Sequence, residues 1–252
     1  MLCFYGIFQS DVNTPLSLME QYFSELGMTK EDCQEIRWID NYAYQYDLLL
    51  ELTTEFLLNR VNPFLELSPY FKGRSDVVQK PIPEIGLGEI WDLLSQRNLG
   101  ESSMEWTLFG GKMNEISMSN IPFPHRAGTS FLVVNIASRN SLNTTLARRS
   151  ISWSRQLYKT IGKYIPNAPS NPRSAYVNYC DFYMGTNNRN EYTNVGRARI
   201  WGAHYFKSNF DKRVKVNTMV DPQNFFHFEQ SIPLYQQEKV KGKRKKCLSF
   251  HV

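Results

Sequence analysis

From Ser130 to Ala137 the chain reads Ser-Phe-Leu-Val-Val-Asn-Ile-Ala, apolar at odd and even positions alike. Successive side chains of a strand point to opposite faces, so a strand apolar at both parities has both faces covered. The segment is expected to be a central strand, and the rest of the chain has to supply what flanks it. Trp106 to Phe109, leading through Gly110-Gly111 into Lys112 to Ile116, reads as another strand of the same region.

Helical spacing supplies the covering layer. After an apolar opening, Met1 to Gln9, that reads as a strand, Asn13 or Thr14 can cap a helix with Pro15 in its first turn. Leu16, Met19, Phe23 and Leu26 then recur on one face, as expected of an amphipathic helix lying on a sheet. Glu35 to Asp40 is a short strand candidate, and the aromatic, leucine-rich stretch to Leu67 follows neither period. Leu87, Ile90, Leu93 and Leu94 give a second short helix after Pro81 and Pro83. Trp153, Leu157, Tyr158, Ile161 and Tyr164 keep helical spacing from Ile151 to Ile165, and Ala198, Trp201, Tyr205, Phe206 and Phe210 keep it from about Val195 to Lys215. Helices interspersed with sheet segments, without a regular βαβ rhythm, imply an α+β fold in which an antiparallel sheet is covered by helices.

Composition narrows the function classes. A hydrophobic share of 42% suits a globular chain, and no run approaches the roughly eighteen apolar residues of a membrane span. The first residues lack the pattern of a signal peptide. The net charge of +5 is concentrated in Lys239, Lys241, Lys243, Arg244, Lys245 and Lys246, a basic tail read as solvated, which disfavours nucleic-acid binding by a folded face. Cys3, Cys33, Cys180 and Cys247 are dispersed without a CxxC pair, and His125, His204, His227 and His251 are equally scattered, so no metal site is expected. Asn143-Thr144-Thr145 is a glycosylation sequon, relevant only in the secretory path.

Nucleotide-binding and hydrolytic motifs are absent. Gly86-Leu87-Gly88 lacks a third glycine and Gly110-Gly111 lacks a following Lys-Ser or Lys-Thr, so both read as turns. Pro122 to Gly128 reads as a rigid loop entering the central strand, with His125 and Arg126 as structural donors. Tyr179 could relay a proton were its pKa lowered near a bound flavin or a cation; as a residue alone it reads as a packed, hydrogen-bonded tyrosine.

Longer stretches carry a resemblance. Gly110 to Ile116 with Ile121 to Gly128, then Asn171-Pro172-Arg173 with Tyr176-Val177-Asn178-Tyr179 and Asp181, then Ala198 to Gly202, Val214 to Val216, Val220-Asp221-Pro222 and Glu229 to Pro233 follow one another in order. The series resembles the signature of plant berberine-bridge-like oxidases, the family of reticuline oxidase, the cannabinoid-acid synthases and the monolignol oxidases. Weaker similarity reaches back through Trp38-Ile39-Asp40, so it covers nearly all of residues 1 to 233.

The resemblance implies the C-terminal half of an FAD-dependent oxidoreductase. Residues 1–165 would form part of the substrate domain of a vanillyl-alcohol-oxidase-type flavoprotein. Residues 166–233 would form the helical segment that completes the flavin domain, and residues 234–252 a foreign, disordered tail. It implies a small-molecule substrate, O2 as electron acceptor, no membrane partner, and an association surface where the missing domain would pack. The family is secreted or vacuolar, and its covalent flavin attachment lies outside this chain. By the same resemblance Tyr179 is the catalytic tyrosine, Asn178 and Tyr176 flank the flavin, and Thr107, Leu132 and Val134 face the substrate. Leu132 and Val134 stand where relatives carry a polar or acidic group, and Cys180 replaces an arginine. The alternative is a non-catalytic copy that binds a ligand or a protein.

Overall fold

The computed structural model describes residues 3–41, 58, 70–96, 101–139, 143–165, 172–188 and 193–235. The chain divides into two compact units, Met1–Pro63 and Phe64–Val252. The unassigned stretch to Leu67 and the basic run 239–246 lie outside the described residues, apart from Asn41 and Leu58.

In the first unit, helix α1 (Asn13–Tyr22) forms with Pro15 in its first turn. Its cap is neither Asn13 nor Thr14: the Asp11 carboxylate accepts the backbone N–H groups of both, at 2.9 and 3.2 Å. Two expected strands do not form among the described residues, since residues 3–8 pair with no other strand, Gln9 lies in a bend and residues 38–41 are helical. An extended run becomes a strand only with a ladder partner, and among this unit's described residues there is no strand on which α1 could lie.

The second unit holds an antiparallel three-stranded sheet of order β1 (Tyr70–Val78), β3 (Phe131–Arg139), β2 (Glu101–Leu108). The doubly apolar segment is the central strand, β3. Phe131, Val133 and Ala137 pack into one cluster with Ile90, Leu93, Trp153, Leu157 and Ile161 of helices α2 (Glu84–Leu94) and α3 (Thr144–Ile161). Leu132, Val134 and Ile136 face the other way, into a cluster with Val77, Phe109, Tyr176 and Tyr179. Trp153 Nε1 donates to the Leu93 carbonyl at 2.8 Å and ties the two helices together. Helix α3 starts earlier than its apolar spacing suggests, because Asn143 Oδ1 caps Thr145 and Leu146.

Three further readings are corrected. Lys112 to Ile116 is not strand: Gly111 adopts φ 50°, and residues Gly111–Glu115 form a 3-10 helix closed by a Lys112–Glu115 ion pair. Gly86 and Gly88 lie inside α2, not in a turn; a side chain at Gly86 would meet Ile82 and Tyr164 at 2.8 Å, so that glycine permits close packing. The pattern from Val195 to Lys215 is two helices, α4 (Val195–Phe206) and α5 (Phe210–Val220), broken at Lys207, whose φ is 45°. Phe206 and Phe210 are both buried across the break, so the apolar rhythm continues where the helix does not.

Candidate functional site

The outward face of the sheet is the floor of a cleft of about 520 Å³, lined by Thr107, Phe109, Ile121, Phe123, Leu132, Val134, Tyr176 and Tyr179. Strand register builds this floor. Val77, Leu132 and Thr107 form one cross-strand row, and Ser75, Val134 and Glu105 form the next.

The wall is aromatic. Phe123 meets Phe109 and Tyr176 edge-on, with ring centroids 6.0 and 5.5 Å apart, and Tyr176 meets Tyr179 at 5.9 Å. Both flanks of this wall are fixed by buried polar groups. Asn209 Nδ2 donates to the carbonyls of Met118 and Ile121, at 2.6 and 3.1 Å, and holds the loop that presents Ile121 and Phe123. His125 Nε2 donates to the Ala175 carbonyl at 3.0 Å, and burial drives the imidazole's pKa down to about 4. His125 is therefore a neutral structural donor at physiological pH.

The segment bearing Tyr176 and Tyr179 is anchored on the opposite side by charge. Arg173 grips Asp76 of β1 through two hydrogen bonds, donates to the Tyr158 carbonyl at 2.7 Å and stacks on the Tyr158 ring at 3.3 Å. Asp181 pairs with Lys72, and Arg74 Nε lies 3.1 Å from its other oxygen. Between these anchors Ser75 Oγ accepts the Tyr176 N–H at 2.8 Å. The Tyr205 hydroxyl accepts the Asp181 N–H at 2.9 Å and donates to Gln230, whose Nε2 reaches the Asp181 and Gly185 carbonyls at 3.0 and 2.8 Å.

Five of the six residues singled out in the sequence, Thr107, Leu132, Val134, Tyr176 and Tyr179, line this one cleft. Asn178 does not: its side chain is exposed, and Nδ2 donates to the Tyr176 hydroxyl at 2.8 Å. The Tyr179 phenol has its pKa raised, not lowered, first by burial and then by the charge of Glu105. Cys180 turns away, its thiol donating to the Val177 carbonyl at 3.0 Å. Sequence reasoning missed Ser75, Asp76 and Asn209, whose partners come from segments distant in sequence. Among the described residues no group of His, Cys, Asp and Glu could hold a metal ion, and no helix is long and apolar enough to cross a membrane.

Comparison with known proteins gives this geometry a context. The domain described as berberine and berberine like matches residues 175–233, the segment carrying Tyr176, Tyr179, Asp181, Tyr205 and Gln230. Berberine bridge enzyme-like 24 of Arabidopsis thaliana is 41% identical over 92% of the chain. The chain belongs to the berberine-bridge-enzyme-like family. Tetrahydroberberine oxidase of Argemone mexicana is 40% identical over 91% of the chain. The solved structure of BBE-like #28 from Arabidopsis thaliana superposes with a TM-score of 0.79 at 36% identity, covering 90% of this chain and 46% of that one. The chain spans 41% and 40% of the length of the two curated relatives. The α+β class, an antiparallel sheet covered by helices, is that of these vanillyl-alcohol-oxidase-type proteins.

Proposed function

We propose that this chain supplies the substrate cleft and the ring-flanking tyrosines of an FAD-linked oxidoreductase acting on small aromatic or phenolic molecules. The observation that carries the reading is the convergence of Tyr179, Tyr176, Thr107, Leu132 and Val134 on one aromatic-walled cleft.

The residues present suit the ring end of the cofactor. The Tyr176 and Tyr179 hydroxyls are neutral hydrogen-bonding groups beside flat aromatic surfaces, a set matched to a planar heteroaromatic ring. Among the described residues, those lining the cleft include no Lys, Arg or glycine of the sort that cradles a pyrophosphate, so that end of FAD would be held elsewhere. When bound, the flavin would accept hydride from a substrate C–H and pass the electrons to O2.

The chain's own residues would then position the substrate and handle its proton. Phe109, Phe123 and Tyr176 would hold an aromatic ring, while Leu132, Val134 and Ile121 exclude water beneath it. Tyr179 keeps its proton at neutral pH, since burial and Glu105 both oppose the phenolate, and so donates a hydrogen bond to a substrate oxygen or nitrogen. Taking a proton in turn requires a ligand that offsets those two effects. A second reading, ligand binding without turnover, is favoured by Leu132 and Val134, neither of which can exchange a proton.

The test is to isolate the protein from its own tissue, record its visible spectrum for flavin absorbance, and follow anaerobic bleaching with candidate phenolic alcohols and amines. Flavin that bleaches, with Tyr179→Phe slowing the step about a hundredfold or more, is the expected result. A colourless protein that oxidises nothing would sink the proposal in favour of the second reading.

A further inference from the structure

Among the strand side chains described, a single carboxylate, that of Glu105, stands on the face of the sheet that floors the cleft, beside the lining residues and not among them. Glu105 precedes Trp106, which packs against the helix-side core, and alternates with it in the same register as Thr107, which lines the cleft. It stands opposite Val134, and its Oε1 accepts the Thr107 hydroxyl at 3.4 Å. Its charge reaches Tyr179. The charged side chains of β1, Lys72, Arg74 and Asp76, alternate to the other side and are engaged there with Asp181 and Arg173. Glu105 makes no ion pair among the described residues.

The faces of aromatic rings are electronegative and attract cations, and a carboxylate beside them attracts the same ligands. Tyr176 and Tyr179 supply the rings and Glu105 the full charge, while Phe123 already carries the Arg126 guanidinium over its ring at 5.2 Å; among the described residues none that lines the cleft is cationic. We propose that Glu105 is a specificity-determining residue that makes this cleft select organic cations. The ligand's ring would lie against the aromatic wall and its protonated or quaternary nitrogen would point to the Glu105 carboxylate. The inference rests on the reading of the cleft as a small-molecule site, and adds to it a charge class that the apolar floor could not impose.

The experiment uses the full chain, isotope-labelled for NMR, and three probes: benzyltrimethylammonium, its uncharged carbon isostere neopentylbenzene, and benzenesulfonate. Because a pair at an exposed carboxylate is worth only a few-fold in affinity, the cation should bind about three- to fivefold more tightly than the isostere, with the sulfonate weakest. Added salt should erode that advantage. Glu105→Gln should reduce the ratio to what the rings alone provide, and Glu105→Lys should reverse the order of cation and sulfonate. Glu105 is exposed, and its one described hydrogen bond is to Thr107, so unchanged spectral dispersion will show that both variants fold. Equal affinities in the unmodified chain, or a ratio that Glu105→Gln leaves untouched, overturn the role of Glu105 while the cleft reading stands. No perturbation of Thr107 or Tyr179 by any probe overturns both.

Discussion

Ser75 and Tyr176 are 101 residues apart in sequence, and the Ser75 hydroxyl accepts the Tyr176 backbone N–H at 2.8 Å. The first strand of the sheet thereby fixes the turn that carries the cleft's two tyrosines. Ser75→Ala leaves a buried N–H without its acceptor and should cost about 1–3 kcal/mol. Urea unfolding will measure it. The same variant should weaken binding of any ligand that rests on Tyr176, whereas Ser75→Thr, which keeps the hydroxyl, should retain most of both.

The Arg173–Asp76 pair is buried, so removing one partner strands the other charge. Arg173→Met should destabilise the protein by about 3–5 kcal/mol, read as a lowered midpoint in denaturant. Replacing both, Asp76→Leu with Arg173→Met, should recover part of the loss, since no isolated charge remains. An exposed pair such as Arg199–Asp211 should cost less than about 1 kcal/mol when broken.

Two glycines inside helices should respond in opposite ways to alanine. A Cβ at Gly202 of α4 would fall within the Phe210 ring, which is fully buried, so Gly202→Ala should cost about 3 kcal/mol. At Gly88 of α2 nothing lies within 4 Å of the added atom, and the helix gains about 0.5–1 kcal/mol. Thermal unfolding of the two variants side by side checks the contrast.

Stability should fall in mild acid through His125. Its folded pKa is about 4 against an ordinary 6.5, so between those values the unfolded chain binds a proton that the folded one refuses. That contribution is fully present above pH 6.5 and is lost as the pH falls towards 4, up to about 3 kcal/mol in all. Asp76 works in the opposite direction, because burial lifts its carboxyl to about 6 and acid between 4 and 6 favours its folded form. The measurement is therefore the difference between the unmodified chain and His125→Gln: the variant should lose less stability between pH 7 and pH 4. Identical pH profiles would rule this out.

The parts legible in the sequence were those set by local pattern. The central strand showed itself because both of its faces are apolar, and α2 and α3 because Ile90, Leu93, Trp153, Leu157 and Ile161 recur at the helical period. The neighbouring strand β1 was hidden: Lys72-Gly73-Arg74-Ser75-Asp76 looks like a solvated loop until Arg173 and Asp181 arrive to pair its charges. The break between α4 and α5 was equally invisible, since it resides in one backbone angle at Lys207 and not in side-chain spacing. At the site, the family motif pointed to the cleft residues by type, but Asn178 turned outward and the Tyr179 phenol shifted upward. Both outcomes depend on neighbours, Tyr176 and Glu105, brought close by tertiary packing.

The segment from Arg173 to Gly185 is held by β1 through Asp76, Ser75 and Lys72, by α3 through the Tyr158 carbonyl, by α4 through Tyr205, and by Gln230 beyond α5. A turn tied to four separate partners has no private way to open. Its amides should exchange with solvent only when the surrounding strand and helices come apart together, on the slowest timescale the unit possesses. The cleft tyrosines thus inherit the cooperativity of the whole unit, and damage at a site as distant in sequence as Gln230 will be felt at Tyr179.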